Sequence, residues 1–129
     1  MKAKVQAWLQ AQPVFPGLLA CAVRLPDQLL LSRAIDERFA VAGLEHAGRC
    51  VADTYRVLRV QRMPARELHW EYEEARLHCA RRTDDLLLLL FVSGDAPPDA
   101  ESALRRWMDE FLQHPGWAPP KGAEKPAEG

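Results

Sequence analysis

An unbroken apolar run, Leu86–Val92, lies between Asp85 and Ser93 in an otherwise polar chain and reads LLLLLFV. A helix that crosses a membrane needs about 20 apolar residues, so this run is too short to span one. It has no polar face, and a glycine and two prolines follow it closely. We therefore predict a strand from Asp85 to Ser93, central in a sheet and covered on both faces. A buried helix is the alternative, because short apolar runs fit either structure.

The segment before this run alternates between apolar and polar residues, which is typical of strands, and it reads ELHWEYEEARLHC. A turn at Glu73–Glu74 would bring the two halves together as a hairpin. On one face the pairs would be Leu68 with Cys79, Trp70 with Leu77 and Tyr72 with Ala75. On the other face they would be His69 with His78 and Glu71 with Arg76. An apolar ladder and an opposite-charge pair that emerge from one register favour the hairpin.

The rest of the chain divides at prolines and turn residues. A helix is predicted over 3–12, and strands at Gly17–Val23 and Leu29–Ile35 flank a Pro26-Asp27 turn. A long helix, capped by Asp36, is predicted from Glu37 to about Arg62. The last helix has Pro97 and Pro98 in its first turn. The order is α-β-β-α-β-β-β-α. It predicts a single α/β domain, with a five-stranded antiparallel sheet and helices on both faces.

The long helix carries two apolar stripes. The first is Val41, Leu44, Gly48, Val51, Tyr55 and Leu58. The second is Phe39, Gly43, His46, Cys50, Thr54 and Val57. A helix with two apolar faces is expected to contact its own sheet and a partner. Gly43 and Gly48 each cost about 1 kcal/mol of helix stability relative to alanine, which indicates close approach of another element.

Length, charge and cysteine usage exclude several classes of protein. The chain has 129 residues and a net charge of -1, so neither nucleic acid nor an anionic membrane is expected to attract it. Cys21, Cys50 and Cys79 match no metal or redox spacing and predict reduced, buried, structural thiols in a cytoplasmic protein. Residues 1–114 form the predicted domain. Residues 115–129 are predicted to be a disordered tail, in which only Trp117 could dock.

Candidate chemistry is sparse. His69 and His78 beside Glu71 could hold zinc, although a cross-strand pair is the favoured interpretation. Cys50 and His46 lie four residues apart and could act as nucleophile and base, but an apolar helix stripe gives a substrate no access. No catalytic residue, cofactor or metal is assigned, and the chain is not expected to be an enzyme.

Arginines and aromatic residues have a functional and a structural interpretation too. Arg24, Arg81 and Arg82, or Arg105 and Arg106, could form basic patches that bind phosphate or an acidic partner. Solvated side chains paired with Asp84, Asp85 or Glu101 are favoured instead. Trp8, Trp107 and Phe111 are expected to pack in the core rather than to line a ligand pocket.

This order of elements resembles the roadblock domain of dynein light chains and of bacterial regulators of Ras-like GTPases. The stretches that carry the resemblance are GLLACAVRLPDQLLLS, ERFAVAGLEHAGRCVADTYRVLRV and ELHWEYEEARLHCARRTDDLLLLLFV. The resemblance covers about residues 3–113. It implies dimers in which the long helices pack together and the third strands pair. The implied interface is Val41, Leu44, Gly48, Val51, Tyr55, Leu58, Leu68, Trp70 and Tyr72. Family members often have glycine-containing turns where this chain has LPDQ and YEEA.

The resemblance also implies a function, because its members bind small GTPases as scaffolds or regulators and need no nucleophile of their own. The prediction is a non-catalytic homodimer that binds a Ras-like small GTPase. Two alternatives stay open. One is a small chaperone-like dimer for a secreted protein, and the other is a PAS- or profilin-like sensor with a ligand between helix and sheet.

Overall fold

The computed structural model describes residues 1–63 and 65–117. Its elements are α1 (Lys2–Ala11), β1 (Leu18–Arg24), β2 (Leu30–Ala34), α2 (Val41–Val60), β3 (Glu67–Glu71), β4 (Ala75–Arg81), β5 (Leu87–Ser93) and α3 (Ala100–Gln113). This order confirms the predicted α-β-β-α-β-β-β-α fold. In these two ranges no helix combines the length and hydropathy that a membrane span requires.

The five strands form one antiparallel sheet in the order β2-β1-β5-β4-β3. The apolar run supplies β5, which pairs with β1 on one side and β4 on the other. Leu88, Leu89, Leu90 and Val92 have no exposed surface. Successive side chains point to opposite faces of a sheet, so a central strand covered on both faces must be apolar throughout. The strand prediction is confirmed, and the alternative of a buried helix is wrong.

The β3–β4 hairpin has the register predicted from its alternation. Leu68 lies opposite Cys79, His69 opposite His78, Trp70 opposite Leu77 and Glu71 opposite Arg76. The backbone N–H of Tyr72 donates to the carbonyl oxygen of Ala75 at 2.7 Å, which closes the hairpin around the two glutamates. The hairpin therefore keeps its pairing without a glycine in the turn.

The sheet separates two apolar cores. Helices α1 and α3 cover one face, where the core includes Val5, Leu9, Val23, Leu88, Leu90, Leu104, Trp107 and Phe111. Helix α2 covers the other, with Ala22, Val51, Tyr55, Leu77, Cys79, Leu87 and Leu89. As expected, Trp107 and Phe111 are core residues, and the partly buried Trp8 packs against both rings.

The long helix begins later than its sequence indicates. Asp36 was the predicted N-cap of a helix from Glu37, but its carboxylate accepts hydrogen bonds from the backbone N–H and the guanidinium of Arg38. This local pairing stabilises a turn. Because it occupies the carboxylate, Asp36 is not free to cap a helix. Helix α2 therefore starts at Val41, with Ala40 as its N-cap. Similarly, Pro97 and Pro98 precede α3 rather than lying in its first turn.

The α1–α3 core extends past residue 114, the predicted end of the domain. Trp117 is only 5% exposed and its ring stacks on His114 at a centroid distance of 3.8 Å. It also meets Trp8 edge-on at 5.6 Å. Trp117 thus docks on the α1–α3 core. It is the one residue of the predicted tail that was expected to be able to dock. Of the tail that was predicted to be disordered, 115–129, residues 118–129 lie outside the described ranges.

Candidate functional site

Helix α2 has one face against the sheet and one free of it. Leu44, Val51 and Tyr55 are at most 5% exposed and Gly48 is buried, so these four residues contact the chain's own sheet. They belong to the stripe predicted to contact a partner, and that assignment needs correction. The sheet offers a wide apolar face, and the bulkier of the two stripes covers it.

The remaining residues of the predicted interface lie at or near the surface. Val41 is 60% exposed and Tyr72 is 58% exposed. Leu58, Leu68 and Trp70 are half-buried, and the last two pack against the core beneath α2. Part or all of each of these five side chains is therefore accessible to a partner.

The face of α2 that is free of the sheet carries the second apolar stripe except Phe39, which precedes the helix and packs on the ring of Phe91 at 5.2 Å. We call Gly43, His46, Cys50, Thr54 and Val57 the outer stripe. All are exposed except Thr54, which is half-buried, and Val57 is 54% exposed. The steps along the stripe are three, four, four and three residues, so it is symmetric about Cys50. Cys50 also lies at the middle of the 20-residue helix.

The two glycines of α2 have different surroundings. A methyl group at Gly48 would lie 3.1 Å from Leu30 Cδ1 and 3.7 Å from Arg24 Cδ, so this glycine lets the helix approach the sheet closely. At Gly43 a methyl group would have no heavy atom within 4 Å. The close approach predicted for both glycines is therefore confirmed only at Gly48. Nothing in the described chain explains why Gly43 should be a glycine.

Strand β3 is one of the two edge strands of the sheet. Within residues 1–63 and 65–117 it pairs only with β4. The Tyr55 hydroxyl donates to the carbonyl oxygen of Arg66 at 3.2 Å, which ties the second half of α2 to the start of β3. An edge strand leaves alternate backbone N–H and C=O groups free to pair with another chain. The outer stripe and the free edge of β3 are thus two surfaces suited to association.

The candidate chemical pairs are in contact but form no larger site. The rings of His69 and His78 stack at 5.6 Å, and no group of three or more metal-binding side chains occurs in the described part of the chain. Cys50 Sγ lies 3.7 Å from His46 Nε2, and both residues are exposed. The predictions that Cys50 is buried and that a substrate cannot reach this pair are therefore wrong, whereas Cys21 and Cys79 are buried as predicted.

The comparisons with known proteins bear on the fold. No protein-family model matches the sequence, and no curated protein matches it. Among solved structures, MglB of Myxococcus xanthus superposes with a TM-score of 0.59 at 10% identity, over 74% of this chain and 75% of that one. A roadblock/LC7 domain from Streptomyces avermitilis gives 0.57 at 12% identity, over 76% and 82% of the two chains. The gliding protein MglB of Thermus thermophilus gives 0.55 at 16% identity, over 84% and 88%. The chain therefore has the roadblock/LC7 fold.

Proposed function

We propose that this chain is a homodimeric, non-catalytic interaction module of the cytoplasm that binds a Ras-like small GTPase and regulates or scaffolds it. The observation that carries the proposal is the symmetric outer stripe of α2, together with an edge strand, β3, that has a free side in the described part of the chain. The roadblock/LC7 fold supports it, because the members that this sequence resembles act by binding small GTPases. Such a role requires complementary surfaces and no nucleophile or cofactor.

The symmetry of the outer stripe defines how two copies would meet. If a two-fold axis passes beside Cys50, the two α2 helices run antiparallel and the two thiols face each other. Gly43 of one copy then lies opposite Val57 of the other, so that the space beside the glycine accommodates the branched valine side chain. His46 lies opposite Thr54, whose hydroxyl can accept from an imidazole N–H. A two-fold interface must be self-complementary in this way.

The edge strand fits the same arrangement. Two β3 strands related by the two-fold axis would pair antiparallel and join the two sheets into one. This pairing would satisfy the free backbone groups of β3 and would cover the half-buried Leu68 and Trp70. An unprotected edge strand bearing such residues is prone to aggregation, so its burial favours a dimer in solution.

The dimer can be tested with the thiol chemistry of the native chain. Cys21 and Cys79 have no exposed surface, and burial raises the pKa of the Cys21 thiol to about 12, whereas Cys50 is exposed. A short bis-maleimide should therefore join two chains through Cys50, and Cys50→Ser should abolish the product. Light scattering should give a dimer mass for the wild type and a monomer mass for Val57→Arg. A wild-type monomer would refute the dimer.

The GTPase requires a separate test. Ras-like GTPases encoded in the same genome should be loaded with GDP or a non-hydrolysable GTP analogue and passed over the immobilised protein. We expect one of them to be retained in one nucleotide state, with weaker retention by Val57→Arg because the paired helices would form the binding surface. Retention of none in either state, by a protein shown to be dimeric, would reject the GTPase while leaving the dimer intact.

A further inference from the structure

A groove rich in arginine runs beside the second half of α2, between the helix and the turns at that end of the sheet. Its volume is about 390 Å³. We call it the arginine groove, and it is lined by Arg24, Pro26, Gln28, Arg49, Ala52, Asp53, Tyr55, Arg56, Arg59, Arg81, Asp85 and Leu87. The arginines come from β1, α2 and β4, so residues far apart in sequence converge there.

Positive charge in the groove exceeds negative charge. Asp53 pairs with Arg56 at 3.2 Å. Asp85 pairs with Arg81 at 2.6 Å and lies 4.0 Å from Arg59. Among the described residues that line the groove, these two aspartates are the only acidic ones, against five arginines.

Two of the arginines have no carboxylate partner. Among residues 1–63 and 65–117, no salt bridge reaches Arg24 or Arg49. A methyl group built at Gly48 would lie 3.7 Å from Arg24 Cδ, which is an ordinary van der Waals distance, so the aliphatic stem of Arg24 passes beside α2 at this glycine.

We propose that the arginine groove binds an acidic, extended segment of a protein partner. Guanidinium groups form strong bidentate hydrogen bonds with carboxylates, and Arg24 and Arg49 are free to do so. Small-molecule pockets are enclosed and mostly apolar, whereas this groove is open and its rim is charged. Asp53 and Asp85 interrupt the positive charge of the groove. They would repel the continuous negative charge of a nucleic-acid backbone, whereas carboxylates spaced along a peptide can lie opposite the arginines and avoid the two aspartates.

The dimensions suit a short extended peptide. Arg49 and Arg59 are ten residues apart on α2, which corresponds to about 15 Å along the helix. About five residues of extended chain cover the same length. Carboxylates on alternate residues of such a segment would point to one side, toward the arginines.

The groove is independent of the proposed dimer. Its α2 residues are 49, 52, 53, 55, 56 and 59, none of which belongs to the outer stripe. It adjoins the β1–β2 turn, whereas the proposed dimer uses the opposite edge of the sheet, at β3. Failure of the dimer would leave this inference untouched.

The test measures fluorescence anisotropy at low ionic strength. The probe is a labelled peptide with glutamate at alternate positions and serine between them, and the same peptide with glutamine is the blank. The double variant Arg49→Glu/Arg56→Glu should weaken binding by at least about tenfold, since charge reversal converts attraction into repulsion. Lys4→Glu/Arg106→Glu changes the net charge equally on the α1–α3 side and should leave binding unchanged.

Two results would overturn the inference. One is equal binding of the glutamate and glutamine peptides, or equal loss in both double variants, which would indicate no site or only a diffuse charge effect. The other is preferential binding of a single-stranded oligonucleotide or of inorganic phosphate with loss in the Arg49→Glu/Arg56→Glu variant. That outcome would assign the groove to phosphate. Circular dichroism of both variants establishes that they are folded, as expected for exposed side chains.

Discussion

Arginine side chains from the sheet hold the ends of both terminal helices. Arg33 Nη1 donates to the carbonyl oxygens of Leu9 at 3.1 Å and Gln12 at 2.7 Å. Arg82 Nη1 donates to those of Phe111 at 2.5 Å and His114 at 2.7 Å. The last carbonyls of a helix lack partners within the helix, and a guanidinium has donors enough to serve two of them.

Arg82 combines this role with burial, being 9% exposed. It pairs with Asp84 at 3.0 Å, and its guanidinium carbon lies 5.0 Å from the centre of the Trp117 ring. From sequence it was grouped with Arg24 and Arg81 as a candidate basic patch. Neighbouring residues at a strand end point to opposite faces, so Arg81 reaches the arginine groove while Arg82 lies under α3. Sequence proximity alone does not distinguish the two.

We expect Arg82→Met to lower the free energy of unfolding by about 2–4 kcal/mol, because it leaves two carbonyl oxygens and a carboxylate without their donor. Urea denaturation followed by tryptophan fluorescence measures this loss. Arg106→Met is the matched control, since Arg106 is exposed on α3, and it should change stability by no more than about 0.5 kcal/mol. A similarly small effect of Arg82→Met would contradict a stabilising role of Arg82 at the end of α3.

Strands and helices differed in how far their sequence defined their contacts. The register of β3 and β4 was predictable pair by pair, since a slip of one residue would place Leu68 and Trp70 on the polar face. In α2 the periodicity revealed two apolar stripes but not which one packs inside. The first stripe, which packs on the sheet, is the bulkier, with Leu44, Val51 and Tyr55. This difference in side-chain size could have indicated from the sequence which stripe packs inside. Arg49, Arg56 and Arg59 were missed because only the folded chain brings them near Arg24.

Gly43 provides a test of the helix register. Gly43→Ala should raise the stability of the single chain by up to about 1 kcal/mol, because alanine favours helix and its methyl group meets no neighbour. In the dimer the same methyl group would meet Val57 of the second copy and should weaken association by about 1–3 kcal/mol.

These opposite effects can be measured separately. Urea denaturation of Gly43→Ala in the monomeric Val57→Arg background gives the first, and sedimentation equilibrium of Gly43→Ala alone gives the second. A dimer as tight as the wild type would argue against the register centred on Cys50, whatever the stability of the monomer.

The net charge of -1 is the sum of two regions of opposite sign, one near each end of α2. Three acidic residues, Glu73, Glu74 and Asp95, line a cleft near the N-terminus of α2, against one arginine, Arg38. The arginine groove lies toward its C-terminus. This distribution complements the helix dipole, which is positive at the N-terminus and negative at the C-terminus.

Two histidines on the α1–α3 side should make folding sensitive to mildly acidic pH. Burial lowers the pKa of His78 from its ordinary 6.5, and Arg76 and His69 lower it further while Glu101 and Glu67 oppose them. Burial and then Arg82 lower the pKa of His114 in the same direction. The His78 Nε2 atom is also buried without a hydrogen-bond partner among the described residues. Protonation of either ring is therefore less favourable in the folded chain than in the unfolded one.

The unfolded chain should accordingly bind more protons than the folded chain once the pH falls below about 6.5, and stability rises with pH wherever that holds. We expect the free energy of unfolding to be level from about pH 8 to 7 and to fall between about pH 6.5 and 5.5, before most carboxylates titrate. Urea denaturation across this range measures it. His78→Gln/His114→Gln should flatten the profile, even if its stability at neutral pH is lower, because glutamine cannot take up a proton. An unchanged slope in the double variant would assign the pH dependence to other groups, whereas a slope reduced by only one of the two single substitutions would identify the responsible ring.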